Sequence, residues 1–165
     1  MTTIKTGEEQ ALEIKSILDK AYTEMSLLVR TGILDRFKEL NHVSEISWTQ
    51  YTPYFNDGEA AYFSVNAYEM SIDGWSWEEM YTYEEDDDEM GPSARYLCEE
   101  MKAEGKTIPN PHFDKEESDK IQELIHFIEV LPPEIMEFCF GDHAEISISS
   151  EDTESFTVHT YHRHN

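Results

Sequence analysis

Six consecutive carboxylates, Glu84, Glu85, Asp86, Asp87, Asp88 and Glu89, stand within the stretch MYTYEEDDDEMGP, which carries no basic residue. Side chains of this type hold hard divalent cations, support metal-assisted hydrolysis, or present charge to a basic partner. Calcium-loop spacing fails here. Counted from Asp86, the fifth position is Met90 and the twelfth is Leu97, where the loop requires a bidentate glutamate. The histidines near the end, His159, His162 and His164, are the next candidates. On a strand His162 and His164 share one face, and His159 lies opposite with Tyr161. The three do not converge, so a metal site would need help from elsewhere, such as His143; a frayed polar end is the plainer reading. Cys98 and Cys139 lie within apolar helical patterns, without a CxxC pair or zinc spacing, and read as buried free thiols of an intracellular protein. GxSxG, P-loop and GxGxxG patterns are absent. The reading assigns no catalytic residue, metal or cofactor, and the expectation is a protein that is not an enzyme.

Charge is segregated along the chain. The protein has 165 residues and a formal net charge of -24. The 56 residues from Glu39 to Ala94 contain 14 acidic residues and neither Lys nor Arg. The 42 residues from Ile121 to His162 contain nine acidic residues and again neither Lys nor Arg. The remaining 67 residues are nearly balanced, with 12 basic and 13 acidic side chains. A surface that only needs to be soluble mixes both signs to limit repulsion. Avoidance of Lys and Arg over two long segments points instead to a surface with an electrostatic task.

The elements that must position these groups can be read from periodicity. Thr6 and Glu9 form a capping box, followed by Ile14, Ile17, Leu18, Ala21, Met25 and Leu28 at helical spacing. Gly32 is expected to end that helix, with a short one following over Ile33 to Leu40. Asn56-Asp57-Gly58 marks a hairpin turn between strands at roughly 44–55 and 60–71, with Pro53 at an edge or interruption. The acidic stretch reads as a loop, and Pro92 opens a helix over 93–104. Asp114 and Glu117 form a second capping box before Ile121, Leu124, Ile125 and Ile128; Pro132 and Pro133 start a short helix closed by Gly141. Two alternating strands, HAEISISS and SFTVHTYHRH, turn through Glu151 to Glu154 and finish the chain. This order predicts one α+β domain over 1–165: an antiparallel sheet of about four strands from two hairpins, with helices packed on one face. No apolar run reaches membrane-span length and no apolar signal region opens the chain, so a cytoplasmic location is expected.

The segment WTQYTPYFNDG, Trp48 to Gly58, resembles a recurrent segment of uncharacterised bacteriophage proteins. The resemblance covers 11 of the 165 residues and carries no activity with it. It implies a phage-encoded protein of the host cytoplasm. Small acidic phage proteins are in turn similar to DNA-mimic inhibitors of host nucleic-acid enzymes. Duplex DNA carries one phosphate per roughly 3.4 Å of axis per strand, and carboxylates on strands or helices can present a comparable anionic array. The expected function is therefore inhibition of a basic nucleic-acid-binding host protein, such as a nuclease, restriction complex or defence factor, without contact to nucleic acid or membrane. The expected contact residues are Glu78, Glu79, Glu84 to Glu89, Glu145, Glu151, Asp152 and Glu154, with Trp75, Trp77, Tyr81 and Tyr83 as aromatic anchors. For the same residues, plainer readings are a solvated loop for Glu84–Glu89 and core packing for the aromatics. An immunity-type nuclease inhibitor, a metal-dependent hydrolase and a phage assembly protein are the alternatives. A homodimer would lengthen the anionic surface.

Overall fold

The structure, a computed structural model, describes residues 3–54, 58–84 and 92–162. The hairpin turn expected at Asn56-Asp57 and the acidic residues Glu85 to Glu89 lie outside the described residues.

The first capping box forms as expected. Glu9 N–H donates to Thr6 Oγ1 at 3.1 Å, and Thr6 N–H to Glu9 Oε2 at 3.4 Å. It opens α1 (Gly7–Lys38), one helix of 32 residues. Gly32 does not end it. A Cβ built on Gly32 would lie 2.7 Å from Phe127 Cζ, so the missing side chain is a notch that admits the Phe127 ring. Arg36 closes over that ring at 4.0 Å from its centroid. The separate helix expected from Ile33 is the end of α1, which buries Val29, Ile33 and Phe37.

In β1 (Glu45–Tyr51), Ile46, Trp48 and Gln50 point inward at alternate positions. The strand expected over 60–71 is broken into β2 (Ser64–Val65), a 3₁₀ turn (Ala67–Glu69) and β3 (Ser71–Ile72), and both short strands pair antiparallel with β1. The cause is a change of parity. Ala67 is buried at an odd position, whereas Met70 and Ile72 are buried at even ones. An unbroken strand would send one set to solvent. Asp73 and Gly74, at φ 52° and 84°, then turn the chain into β4 (Trp75–Ser76).

The helix expected over 93–104 is also corrected. Only Ala94–Leu97 (α2) is helical, and Glu100–Ala103 forms a strand. Glu104 and Gly105, at φ 54° and 76°, make the two-residue connection between Ala103 and its partner Lys106. That turn suits a hairpin, and it is the reason the chain extends here rather than coils. With β5 (Thr82–Glu84), β6 (Glu100–Ala103) and β7 (Lys106–Pro109), the chain builds a second, three-stranded sheet in which β5 and β6 run parallel.

Two helices follow, α3 (Lys115–Val130) and α4 (Pro133–Phe140). Asp114 caps α3 by accepting from Glu117 N–H at 3.1 Å. The expected box does not close, because the Glu117 carboxylate turns away to Asn41 N–H, at 2.8 and 2.9 Å, and to His42 N–H. Glu117 is 1% exposed and ties the loop after α1 to α3. The last hairpin, β8 (Ala144–Ser149) and β9 (Asp152–Thr160), completes a six-stranded sheet ordered β4-β3-β1-β8-β9, with β2 beside β1. The fold is α+β, with a larger sheet than the four strands expected. Ile46, Trp48, Ile72, Ile146 and Ile148 form its inner face, packed with Ile33 and Phe37 of α1, Ile121, Leu124 and Ile128 of α3, and Met136 of α4. No described helix is long and apolar enough to cross a membrane.

Candidate partner-binding surface

The strands of the six-stranded sheet all come from the two Lys- and Arg-free segments. β1 to β4 belong to the first and β8 and β9 to the second, and the central pairing of β1 with β8 joins them, from Glu45↔Ser149 to Gln50↔Ala144. No strand residue of this sheet is therefore a lysine or an arginine.

Alternation fixes what its outer face shows. Inward residues of β1 and β8 are apolar apart from Gln50, whose Nε2 donates to the Met136 and Gly141 carbonyls at 2.9 and 2.8 Å. The outward residues are polar, most of them short hydroxyl side chains with Glu45, Glu145 and Tyr51 among them. One row crosses all five strands of the path: Ser76, Ser71, Ser47, Ser147 and Thr157. The next row is Thr49, Glu145 and His159, and on the other side stand Glu45, Ser149 and Asp152. From strand rise and spacing, Glu45 and Glu145 are roughly 14 Å apart. That is the axial rise of about four base pairs. Asp152 accepts from Ser155 Oγ at 2.5 Å and from Glu154 N–H at 3.2 Å, and these bonds, the hydroxyl first, hold its carboxyl below the usual range.

Aromatic rings close one end of this face. Tyr51 lies against Tyr161 at 5.3 Å between centroids, and Tyr54 stacks on His143 at 4.8 Å. Asp142 anchors this end. It accepts from Thr52 N–H at 2.8 Å, Thr52 Oγ1 at 2.7 Å and His143 N–H at 2.8 Å. Partial burial pushes its carboxyl up, but the bonds from Thr52 and His143 outweigh burial and hold it lower than usual.

The expected contact residues are only partly brought together. Glu145 and Asp152 are on the outer face, and Glu151 is exposed in the turn beside them. The hairpin's register shifts between Ser147 and Ser149, so Glu154, two residues on from Asp152, does not share its face and pairs with Lys38 of α1 at 2.6 Å. Glu84 pairs with Lys102 of the small sheet at 3.4 Å. Glu78 is exposed on the 3₁₀ turn Trp77–Glu79, to which Glu79 also belongs. Of the aromatic anchors, Trp75, Trp77 and Tyr83 pack against the core, whereas Tyr81 is 74% exposed. Trp77 keeps one accessible edge: it walls a cleft of about 240 Å³ shared with Tyr81, Glu99 and Gln122. Glu45 and Asp142 were not singled out by the sequence. Glu45 stands one alternation before Ser47 in a basic-free strand, a signal that was there to be read.

Among the described residues no group of three or more His, Cys, Asp or Glu side chains could hold a metal ion. Cys98 and Cys139 are buried and free, and burial pushes the Cys98 thiol up to about 11, away from thiolate chemistry. Comparison with protein-family models, with curated proteins and with solved structures finds no match.

Proposed function

We propose that this protein binds a basic protein partner through the outer face of its large sheet and the acidic turns around it, and that it acts as an inhibitor without catalysis. The observation that carries the reading is the pairing of β1 with β8, which joins two segments free of Lys and Arg into one sheet. A partner rich in Lys and Arg meets no like charge on that face, and the net charge of -24 speeds its approach at low salt. Nucleic-acid-binding proteins are the partner class that fits, since their sites are built to hold anions against Lys and Arg. The resemblance of Trp48–Gly58 to phage proteins makes a host nuclease, restriction complex or other defence factor in the host cytoplasm the natural target.

The row from Ser76 to Thr157 favours a second form of the same reading. A face lined by hydroxyls, with Glu45, Glu145 and Asp152 spaced around them, also suits an immunity-type inhibitor that docks beside the partner's active site. Competition separates the two. The partner is captured on the immobilised protein and challenged with duplex DNA. Displacement by DNA supports occupation of the nucleic-acid site, and retention supports docking beside it. A complex indifferent to salt and unaffected by charge reversal at Glu45 and Glu145 would overturn both.

A further inference from the structure

The element of mixed charge poses a separate question. Residues 7–20 of α1 are exposed all round, although Leu12, Ile14, Ile17 and Leu18 are each at least half exposed apolar side chains. Isolated helices of this length are marginal in water. Ala11, Ile14, Leu18, Ala21, Met25 and Leu28 recur at alternating intervals of three and four, the spacing of a coiled-coil seam. Leu28 is 72% exposed and Met25 36%. At 100° per residue the seam lies roughly a quarter-turn away from the face that buries Val29, Ile33 and Phe37. It also runs into a groove of about 170 Å³ formed by Met25, Leu28, Val29, Leu131, Pro132 and Ile135.

We infer that this seam is the interface of an antiparallel homodimer. The inference does not rest on the anionic reading of the sheet. Three observations select a second copy as the occupant. The first is self-complementarity. About a twofold axis between Leu18 and Ala21, Leu18 meets the partner's Ala21, Ile14 meets the partner's Met25, and Ala11 meets the partner's Leu28. Two of these layers set a small residue against a large one, and Ile14 is brought to the groove bounded by Met25. The second is end charge. α1 carries Glu8 and Glu9 in its first turn and Arg36 and Lys38 in its last. In this register Glu9 comes level with the partner's Arg30, Arg36 and Lys38 extend past the start of the partner's helix, and the helix dipoles are opposed, whereas parallel packing puts like ends together. The third is repulsion between the bodies. Two copies that each carry -24 can approach only where signs are mixed. In the antiparallel pair the two bodies, each seated on the second half of its own α1, are displaced by about 32 Å along the axis. That is some four screening lengths of about 8 Å at physiological salt. In a parallel pair they would sit side by side.

Sedimentation velocity and directed cross-linking test the inference on the full chain. The native protein should sediment at twice the mass of the 19.3 kDa chain at micromolar concentration. The double variant Ile14→Glu, Leu18→Glu should fall to the monomer mass with its circular dichroism kept, since both side chains are exposed. Ala11→Cys and Leu28→Cys proteins should form a disulfide when mixed under oxidation. Neither should form one alone, because like positions are about 26 Å apart in this pairing. Native Cys98 and Cys139 are buried and stay out of the reaction. A monomeric native protein, a double variant that stays dimeric, or a Leu28→Cys protein that cross-links alone would each overturn it.

Discussion

Replacing Gly32 by alanine sets two effects of known sign against each other. In the interior of a helix, Gly→Ala gains about 1 kcal/mol of stability. At this site the added Cβ would lie 2.7 and 3.0 Å from two atoms of the Phe127 ring, nearer than carbon atoms pack. The ring cannot simply swing away, since it is half-buried between α1 and α3 and capped by the Arg36 guanidinium at 4.0 Å. Overpacking of this kind costs about 1–3 kcal/mol. The overpacking term wins, and Gly32→Ala should destabilise by about 1 kcal/mol, a drop in Tm of about 2–4 °C for a chain of this size. In a Phe127→Ala background the clash is gone and only the propensity term remains. There the same substitution should stabilise by about 1 kcal/mol. Urea and thermal unfolding of the four proteins of this cycle give the coupling directly. A stabilising Gly32→Ala in the native background, or the same sign in both, would refute the notch and with it the account of how α1 runs unbroken to Lys38.

Glu117→Ala should be the most damaging single change among the buried polar groups. It leaves the Asn41 and His42 N–H groups without their carboxylate and should cost about 3 kcal/mol, read as a lower urea midpoint; Glu117→Gln, which keeps an acceptor, should cost less. Asp142 should impose an acid limit. Its carboxyl is lower in the folded protein than in the free chain, so the stability that it contributes is complete above about pH 4 and is lost as pH falls through its lower folded value. Asp142→Asn should therefore flatten the decline of Tm below about pH 4, while leaving the slope near neutrality unchanged.

Much of the fold was legible in short-range signals. The capping box at Thr6, the apolar stripe of α3, the double proline that starts α4 and the alternation in β1 and β8 each follow from one element's own residues, whereas β9 keeps its strand but not its alternation, since Val158 is exposed. The errors came where a distant partner decides. Gly32 reads as a helix end until Phe127 is seen to fill its space. Residues 100–103 fit a helical period through Leu97 and Met101, yet pairing with β5 and β7 draws them into a strand. Glu117 carries the signature of a capping box, but two N–H groups of the loop after α1 compete for its carboxylate. The candidate surface was legible in composition and not in detail. Basic-free segments pointed to an anionic surface but not to its placement; the pairing of β1 with β8 joins them in one sheet whose outer face carries mostly hydroxyls between Glu45, Glu145 and Asp152. Which carboxylates are already taken, as Glu154 is by Lys38 and Glu84 by Lys102, depends on contacts that no local pattern encodes.

The most direct test of the sheet-face account is capture from bacterial lysate on the native protein and on a Glu45→Lys, Glu145→Lys variant in parallel. Both side chains point outward from paired strands, so the variant should fold and keep its circular dichroism. The account predicts that the native protein retains a nucleic-acid-binding protein at low salt, releases it as salt screens the charges, and loses most of it in the variant. Retention of the same protein by both, undiminished at high salt, would contradict the claim that this face is where the partner is held.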